Sequence, residues 1–404
     1  MNANADEYAD FLTPGPEIER RVQALQTRMR DSGLHGIVLL HPVNLFYFSG
    51  TVQNGTLWVP ADGAPVFFVA KSLERARQES PLAEIRSRER LGDLGDLAPP
   101  GRAGRIGLES DVLPEREVQR LRKLLPDRTL VDAASLLQRV RQVKSPFELQ
   151  WLRRAGRLHA ETFQEIPAWI REGMTELELS ARLEYALRLR GHQGLIQVHR
   201  WNMNLFYGPV VSGVSACTPS CFDGPVGARG LYPAVPQGAG RKRLQRGEPI
   251  LIDLVFGYNG YFVDKSRTYV IGEPPRECVR LHGLARRIQE AVVSRLRPGN
   301  SCAAVYREVM DDFADQGLSP AHFMGCGDNR VSFLGHGVGL ELDEWPVLAP
   351  GFEEPLQAGM TLAVEPKFFP PGLGGIGLEN TYHVSEAGPE KLTDFPDDLV
   401  IVAG

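Results

Sequence analysis

The sequence has no excess of positive charge. Forty-five lysine and arginine residues stand against 50 aspartate and glutamate residues, which gives a formal net charge of −5 at pH 7. Nucleic acids and anionic membranes favour basic surfaces, so neither is an expected partner. The short basic run at residues 241–243 does not change this expectation, because it is typical of a solvated loop.

Long apolar runs are also lacking, since no stretch approaches the roughly 20 residues that a membrane-spanning helix needs. The first seven residues are polar and acidic, without the basic and apolar regions of a signal peptide. Cysteine is scarce, with an odd number of five in 404 residues. We therefore expect a cytoplasmic protein in which Cys217 and Cys221 are reduced structural thiols.

The length exceeds what one hydrophobic core usually organises, so we expect two domains. Up to about residue 140, short apolar runs that we interpret as strands accompany segments with helical spacing. The runs lie at residues 36–40, 45–48, 57–60 and 65–69, and the helical segments at residues 18–32, 114–125 and 133–140. This pattern predicts an N-terminal α/β domain over residues 1–143.

The character of the chain changes near residue 144. Ser145, Pro146 and Glu148 have the spacing of a capping box that begins a long helix. Strand patterns dominate from residue 250 onward. Further helical patterns lie at residues 175–189, 276–296 and 302–316. The sequence therefore predicts a larger α+β domain over residues 144–404.

Two apolar runs that flank residues 257–260 predict a β-hairpin with one aspartate in each arm. A turn centred on Tyr258 and Asn259 places Asp253 opposite Asp264, whereas a turn at Asn259 and Gly260 makes the two aspartates diagonal neighbours on one face. Either arrangement brings two carboxylates so close that they repel strongly unless cations lie between them. Taken alone, the pair is as consistent with a structural role as with a metal site.

Three later segments each place one polar side chain in an apolar setting. His336 is bracketed by glycines, which allow close backbone approach, while Glu365 and Glu379 end otherwise apolar strands. A buried charge without a partner costs several kcal/mol. Two divalent ions would match four carboxylates, and this ligand set suits Mn²⁺ first, with Co²⁺, Zn²⁺ or Fe²⁺ as alternatives. The predicted metal ligands are Asp253, Asp264, His336, Glu365 and Glu379.

These residues resemble the pita-bread metallopeptidases, which include methionine aminopeptidase, aminopeptidase P, prolidase and creatinase. The resemblance is carried by two Asp eleven residues apart, a Gly-His-Gly-Val-Gly segment, a Glu-Pro pair and a final Glu fourteen residues later. The connector at residues 143–146 and the small N-terminal domain extend it over nearly the whole chain. The resemblance implies a creatinase-type N-terminal domain, a pita-bread C-terminal domain and a homodimer.

The resemblance also implies a role for each ligand. Asp264 and Glu379 would bridge the two ions, Asp253 would hold one ion, and His336 with Glu365 would hold the other. A hydroxide between the ions would be the nucleophile. Glu365 would be the catalytic residue that moves its proton.

Two histidines that are usual in the proline peptidases are missing. Asp343 stands seven residues after His336, and Ser220 stands at the other position, before a longer loop at residues 221–233. Those histidines stabilise the tetrahedral intermediate. Asp343 is therefore a candidate catalytic residue that either binds a cationic group of the substrate or orders His336. His199 could replace a missing histidine, although a structural role is more typical.

The surroundings of the ligands depart from the family at one further position. The Arg often found two residues before the final Glu is Gly377 here, whereas Arg267 is retained after the second Asp. We expect Arg267 to support the site by pairing with a carboxylate rather than to contact substrate.

Three functions are consistent with these residues. The first is hydrolysis of Xaa-Pro bonds in short peptides, as in prolidase or aminopeptidase P. The alternative is another metal-dependent reaction on the same fold, such as hydrolysis of a small-molecule C–N bond or a lyase step. A non-catalytic binding protein is less consistent, because such a protein is under no demand to keep five ligands.

Overall fold

The structure is a computed structural model that describes residues 8–98, 104–200, 203–316, 322–327 and 329–403. The chain divides into two compact units, Met1–Arg141 and Gln142–Gly404. The domain boundary that the sequence places between residues 143 and 144 stays a prediction. In the described parts of the chain, no helix combines the length and the apolar character that a membrane crossing requires.

The first unit combines helices with one mixed sheet. Its elements are α1 (Gly15–Asp31), β1 (Gly36–Leu39), α2 (Pro42–Ser49), β2 (Gly55–Pro60), β3 (Val66–Val69), α3 (Leu73–Glu79), β4 (Glu84–Ser87), a 3₁₀ turn (Arg88–Asp93), α4 (Leu94–Leu97), β5 (Arg105–Leu108), α5 (Glu115–Leu124), β6 (Thr129–Asp132) and α6 (Ala134–Arg141). The six strands lie in the order β4-β3-β2-β1-β5-β6. Strands β2 and β3 pair antiparallel with Trp58 opposite Val66, so the two predicted strands form a hairpin.

One predicted strand of this unit is wrong. The apolar run at residues 45–48 lies inside helix α2, which begins at Pro42 and ends before Gly50. Proline at the first helical position and a left-handed glycine after the last, here with φ of 79°, are strong helix boundaries. They decide the structure because a short apolar run alone fits a buried helix as well as a strand.

The described residues of the second unit form four longer helices and a large sheet. Its helices are α7 (Pro146–Glu165), α8 (Glu176–Leu189), α9 (Arg276–Arg295) and α10 (Cys302–Phe313), with 3₁₀ turns at Ile166–Ala168 and Gly213–Cys217. Its strands are β7 (Val210–Ser212), β8 (Pro249–Tyr258), β9 (Tyr261–Ile271), β10 (Gly325–Cys326), β11 (Asn329–Arg330), β12 (Gly335–Val338), β13 (Leu342–Val347), β14 (Thr361–Val364), β15 (Lys367–Phe368), β16 (Ile376–Gly377), β17 (Glu379–His383), β18 (Glu390–Lys391) and β19 (Val400–Val402).

The large sheet has the order β13-β12-β14-β17-β9-β8-β7, with β18 beside β17 and β19 beside β9. Helix α7 begins with the predicted capping box, in which Ser145 and Glu148 bond each other's backbone N–H. Residues of α9, α10 and the sheet share one buried apolar cluster that includes Ile288, Val309 and Leu362. The five cysteines are free.

The hairpin of β8 and β9 has its turn at Asn259 and Gly260, where φ is 49° and 81°. Of the two registers considered from the sequence, the structure has the diagonal one. Asp264 lies opposite Val255, and Asp253 lies opposite Ser266. Asp264 and Ser266 are two residues apart in one strand, so both aspartates point to the same face of the sheet.

Substitution by alanine is predicted to have opposite effects at two helical glycines, one in α7 and one in α9. A Cβ at Gly156 would lie 2.0 Å from the carbonyl oxygen of Leu392, whereas a Cβ at Gly283 in α9 meets nothing within 4 Å. We expect Gly156→Ala to destabilise the protein by about 1–3 kcal/mol through overpacking. Gly283→Ala should stabilise it by about 0.5–1 kcal/mol through helix propensity. Thermal unfolding followed by circular dichroism measures both, and shifts of the same sign would contradict this packing.

Candidate metal centre

Neighbouring strands bring the five predicted ligands together. Asp253 lies on β8, Asp264 on β9, Glu379 on β17, His336 on β12, and Glu365 directly after β14. These strands are consecutive in the large sheet. Their register aligns the side chains: Glu379 and Asp253 both lie opposite Ser266, and His336 lies opposite Ala363, two residues before Glu365. The five side chains therefore face the same side of the sheet.

All five side chains are buried, and each residue is at most 8% exposed. They form two overlapping groups whose ligand atoms lie within 4.8 Å of one another. One group is Asp264, His336 and Glu379, and the other is Asp253, Glu365 and Glu379. Glu379 belongs to both groups, as a bridging ligand would.

The close packing of carboxylates changes their acidity. Burial raises the pKa of Asp253 to about 7; Lys367 opposes this rise and Glu379 adds to it. Burial, with the charges of Glu379 and Asp253, raises the pKa of Asp264 well above its usual value. Burial likewise raises the pKa values of Glu365 and Glu379. The cavity thus disfavours four uncompensated negative charges and favours a cation.

The ring of His336 is oriented by the contacts of its Nδ1 atom. Nδ1 lies 3.2 Å from the carbonyl oxygen of Gly337 and 3.3 Å from Oδ1 of Asp343. Nε2 points the other way, 3.5 Å from Oε1 of Glu365 and 3.9 Å from Oε1 of Glu379. A proton on Nδ1 leaves the Nε2 lone pair facing the carboxylates, which is the usual arrangement of a metal-binding histidine.

Asp343 approaches His336 from a strained backbone conformation. Its φ is 62°, and the pairing of β12 with β13 is irregular beside it. Its side chain also lines the cleft above the ligands. Of the two roles considered from the sequence, ordering of His336 requires a contact between the two side chains. The structure contains that contact, between Oδ1 of Asp343 and Nδ1 of His336.

The glycines around His336 provide the space that the sequence suggested. A Cβ at Gly335 would lie 2.3 Å from the carbonyl oxygen of Ala363, and a Cβ at Gly337 would lie 2.3 Å from that of Glu344. Neither backbone approach is possible with a side chain. Glycine at both positions therefore lets β12 pack between its neighbours with His336 pointing inward.

The side chains of Thr381 and Arg267 hold the backbone of the strands that carry Asp264 and Glu379. The hydroxyl of Thr381 accepts from the N–H of Asp264 and donates to its carbonyl oxygen, both at 2.9 Å. Arg267 donates to the carbonyl oxygen of Glu379 at 2.8 Å and forms an ion pair of 2.7 Å with Asp397. Arg267 thus pairs with a carboxylate and supports the strand that carries Glu379.

Lys367 was not identified from the sequence. Its ammonium donates to carboxylate oxygens of Asp253 at 2.8 Å, Glu365 at 2.6 Å and Glu379 at 2.7 Å. A signal was present, because Lys367 follows Glu365 by two residues in an extended apolar segment, and residues two apart in a strand share a face.

The ligands open onto a cleft with an apolar wall formed by Leu205, Phe206, Phe222, Val226, Phe333 and Leu342. Among the described residues that line it, His336 is the single histidine. The hydroxyl of Ser220 donates to the carbonyl oxygen of Pro236 at 2.6 Å, and His199 pairs with Glu341 at 3.1 Å. His199 therefore has a partner outside the lining. The loop after Ser220 contributes Phe222 and Val226 to the wall.

The sequence and the fold agree on a family. Residues 150–386 match Metallopeptidase family M24, and residues 21–143 match the Creatinase/Prolidase N-terminal domain. The first match covers more than half of the chain, so the chain belongs to metallopeptidase family M24. Its architecture is a creatinase-type α/β domain followed by an α+β pita-bread domain, and membership implies divalent metal.

Several relatives match along almost their full length. The Xaa-Pro dipeptidase of Pyrococcus furiosus is 25% identical over 95% of this chain and 100% of the relative. The probable dipeptidase PepE of Mycobacterium tuberculosis is 27% identical over 95% of this chain and 96% of the relative. The crystal structure of dipeptidase PepE from Mycobacterium ulcerans superposes with a TM-score of 0.80 at 26% identity, covering 97% of this chain and 100% of that one.

The two ligand groups differ in how they fit metal. In the group of Asp264, His336 and Glu379, atom Oε1 of Glu379 is buried and has no hydrogen-bond partner among the described residues. An unsatisfied buried acceptor is costly, and a cation held by this group would satisfy it. In the group of Asp253, Glu365 and Glu379, each carboxylate already accepts from Lys367. The first group fits a divalent ion as it stands.

Binding of metal to these ligands predicts a change in stability. A ligand that binds the folded state alone stabilises it by about 2.7 kcal/mol at one hundred times its dissociation constant. We expect added Mn²⁺ to raise the thermal midpoint of chelator-treated protein. Asp264→Asn should abolish that rise, whereas Asp398→Asn, at an exposed surface ion pair with Arg286, should retain it. Equal responses of the two variants would show that the ion binds elsewhere.

Proposed function

We propose that this chain is a metal-dependent hydrolase that cleaves Xaa-Pro bonds in short peptides. The observation that carries the proposal is the convergence of one imidazole and four carboxylates, all buried, at the base of an apolar cleft. Relatives that carry the name Xaa-Pro dipeptidase align over 95% of the chain, which supports the same substrate class.

The proposed ligands are Asp253, Asp264, His336, Glu365 and Glu379. Divalent metal, when bound, lowers the pKa of water and polarises a carbonyl group. Two ions, with Mn²⁺ preferred over Co²⁺, Zn²⁺ or Fe²⁺, remain the prediction from the ligand set. A homodimer is proposed from the family resemblance, and a cytoplasmic location from the small, odd number of cysteines.

The chain's own groups bind substrate and move protons. Glu365 is the proposed proton carrier: its Oε2 accepts from Lys367, while its Oε1 faces Nε2 of His336 at 3.5 Å. Asp343 is proposed to position His336, because Oδ1 lies 3.3 Å from Nδ1. The apolar wall around Phe222 and Phe333 suits a proline ring, which has no N–H to satisfy.

A second candidate is a non-peptidase reaction at the same metal, such as hydrolysis of a small-molecule C–N bond. It is favoured by the single histidine among the described lining residues. In the proline peptidases, a second histidine would donate to the tetrahedral oxyanion, and loss of one such donor costs about 10²–10³ in kcat. A substrate that develops less charge on oxygen needs that donor less.

The proposal predicts selective hydrolysis. We expect Mn²⁺-loaded protein to hydrolyse Leu-Pro and not Leu-Ala in an amine-release assay. Glu365→Gln should lower kcat about 10²–10⁴-fold, because proton transfer is lost, and the exposed Glu386→Gln should not. Bound metal with cleavage of small amides but of no Xaa-Pro dipeptide would favour the second candidate. The absence of both activities would contradict both candidates.

The role of Asp343 can be tested separately. If its carboxylate orders His336, Asp343→Asn should weaken metal affinity about 10–100-fold, as is typical when the partner of a metal-binding histidine is lost. If it binds a cationic substrate group, KM should rise while metal affinity is unchanged. The contact with Nδ1 predicts the first result. Isothermal titration with Mn²⁺ and steady-state kinetics on the same preparation distinguish them.

A further inference from the structure

The ammonium group of Lys367 occupies a position that a metal ion would take. Nζ donates one hydrogen bond to each of Asp253, Glu365 and Glu379, at 2.8, 2.6 and 2.7 Å. An ammonium has three donors, so these three carboxylates satisfy it completely. The Lys367 side chain is 1% exposed, so it belongs to the interior of the site.

The same three carboxylates form one of the two groups that could hold an ion. Carboxylate oxygens bind first-row divalent ions at about 2.0–2.2 Å. An ion at that distance from all three residues would overlap Nζ, which lies within 2.8 Å of each. Lys367 and a second ion therefore exclude each other in this position.

The local structure accommodates the lysine. Lys367 and Glu365 are two residues apart in extended chain, which directs both side chains to the same face. Across the β15–β16 pair, Lys367 lies opposite Gly377. A Cβ at Gly377 would lie 2.8 Å from Cα and 2.9 Å from Cγ of Lys367 and 2.5 Å from the carbonyl oxygen of Pro366. The absence of a side chain at residue 377 thus gives the lysine its path into the cavity.

We propose that Lys367 replaces one of the two ions, so that the centre holds a single divalent ion bound by Asp264, His336 and Glu379. One cation remains necessary, because a single ammonium leaves three of the four carboxylate charges uncompensated. Glu379 then connects the two positions, with Oε2 on Lys367 and Oε1 free for the ion. This inference rests on the proposed metal-dependent function and revises its metal count.

Metal stoichiometry tests the proposal. Each variant is purified without chelator, dialysed against excess Mn²⁺ and analysed by mass spectrometry. We expect about one ion per chain in the wild type and about two in Lys367→Gly, which opens the second group. The control is Lys391→Met. It removes a lysine of strand β18 that pairs with Asp397, and it should keep about one ion. Electron paramagnetic resonance should show an isolated Mn²⁺ in the wild type and a spin-coupled pair in Lys367→Gly.

Two aspartate variants keep the test decisive if Lys367→Gly does not fold. With Lys367 in place, Asp253→Asn should retain the ion, because Asp253 contacts the ammonium, whereas Asp264→Asn should lose it. In a two-ion centre both substitutions would remove metal. Two ions in the wild type, or equal loss from both aspartate variants, would overturn the proposal while leaving the metal-dependent function intact. No metal in any variant would overturn both.

Discussion

Four carboxylates in one buried cavity repel one another, and this repulsion determines what the rest of the site has to supply. Taking a carboxylate out of water is unfavourable, and a second negative charge nearby makes it worse. The pKa of Asp253 accordingly rises to about 7, burial being the largest cause. Positive charge inside the cavity is the alternative to protonation. Lys367 provides one such charge, and a divalent ion, which membership of the family implies, would provide two more.

The sheet holds these groups together despite their repulsion. Each ligand comes from a different strand or strand end, and the strands are hydrogen-bonded neighbours. No strand that carries one of these residues can shift without breaking backbone hydrogen bonds on both sides. Arg267 adds to this by joining the backbone of Glu379 to Asp397. The backbone hydrogen bonds of the sheet and the contacts of Arg267 therefore oppose the repulsion together.

Much of this arrangement could be predicted where the determinants are local. The Ser145 capping box depends on adjacent residues and appears as the sequence predicted. The hairpin after Asp253 was also predicted, and of the two turns left open the structure has the one at Asn259 and Gly260. The run at residues 45–48 is helical and not a strand because Pro42 and Gly50 bound it, whereas its hydrophobicity alone fits either structure. Lys367 differs, because only its spacing from Glu365 is a local signal, whereas its partners Glu379 and Asp253 are 12 and 114 residues away and no local pattern shows them.

An ammonium and a metal ion differ in what they allow the same carboxylates to do. Lys367 holds three oxygens at 2.6–2.8 Å, whereas an ion would draw them to about 2.0–2.2 Å. An ammonium neutralises charge and fixes geometry, but it cannot coordinate water, so the activation of water depends on the remaining ion. It also orients Glu365, since one oxygen is held by Lys367 and the other is left facing His336. With Lys367 in that position, the three carboxylates that it binds do not hold a second ion. They are held in fixed positions beside the single ion of the proposed centre.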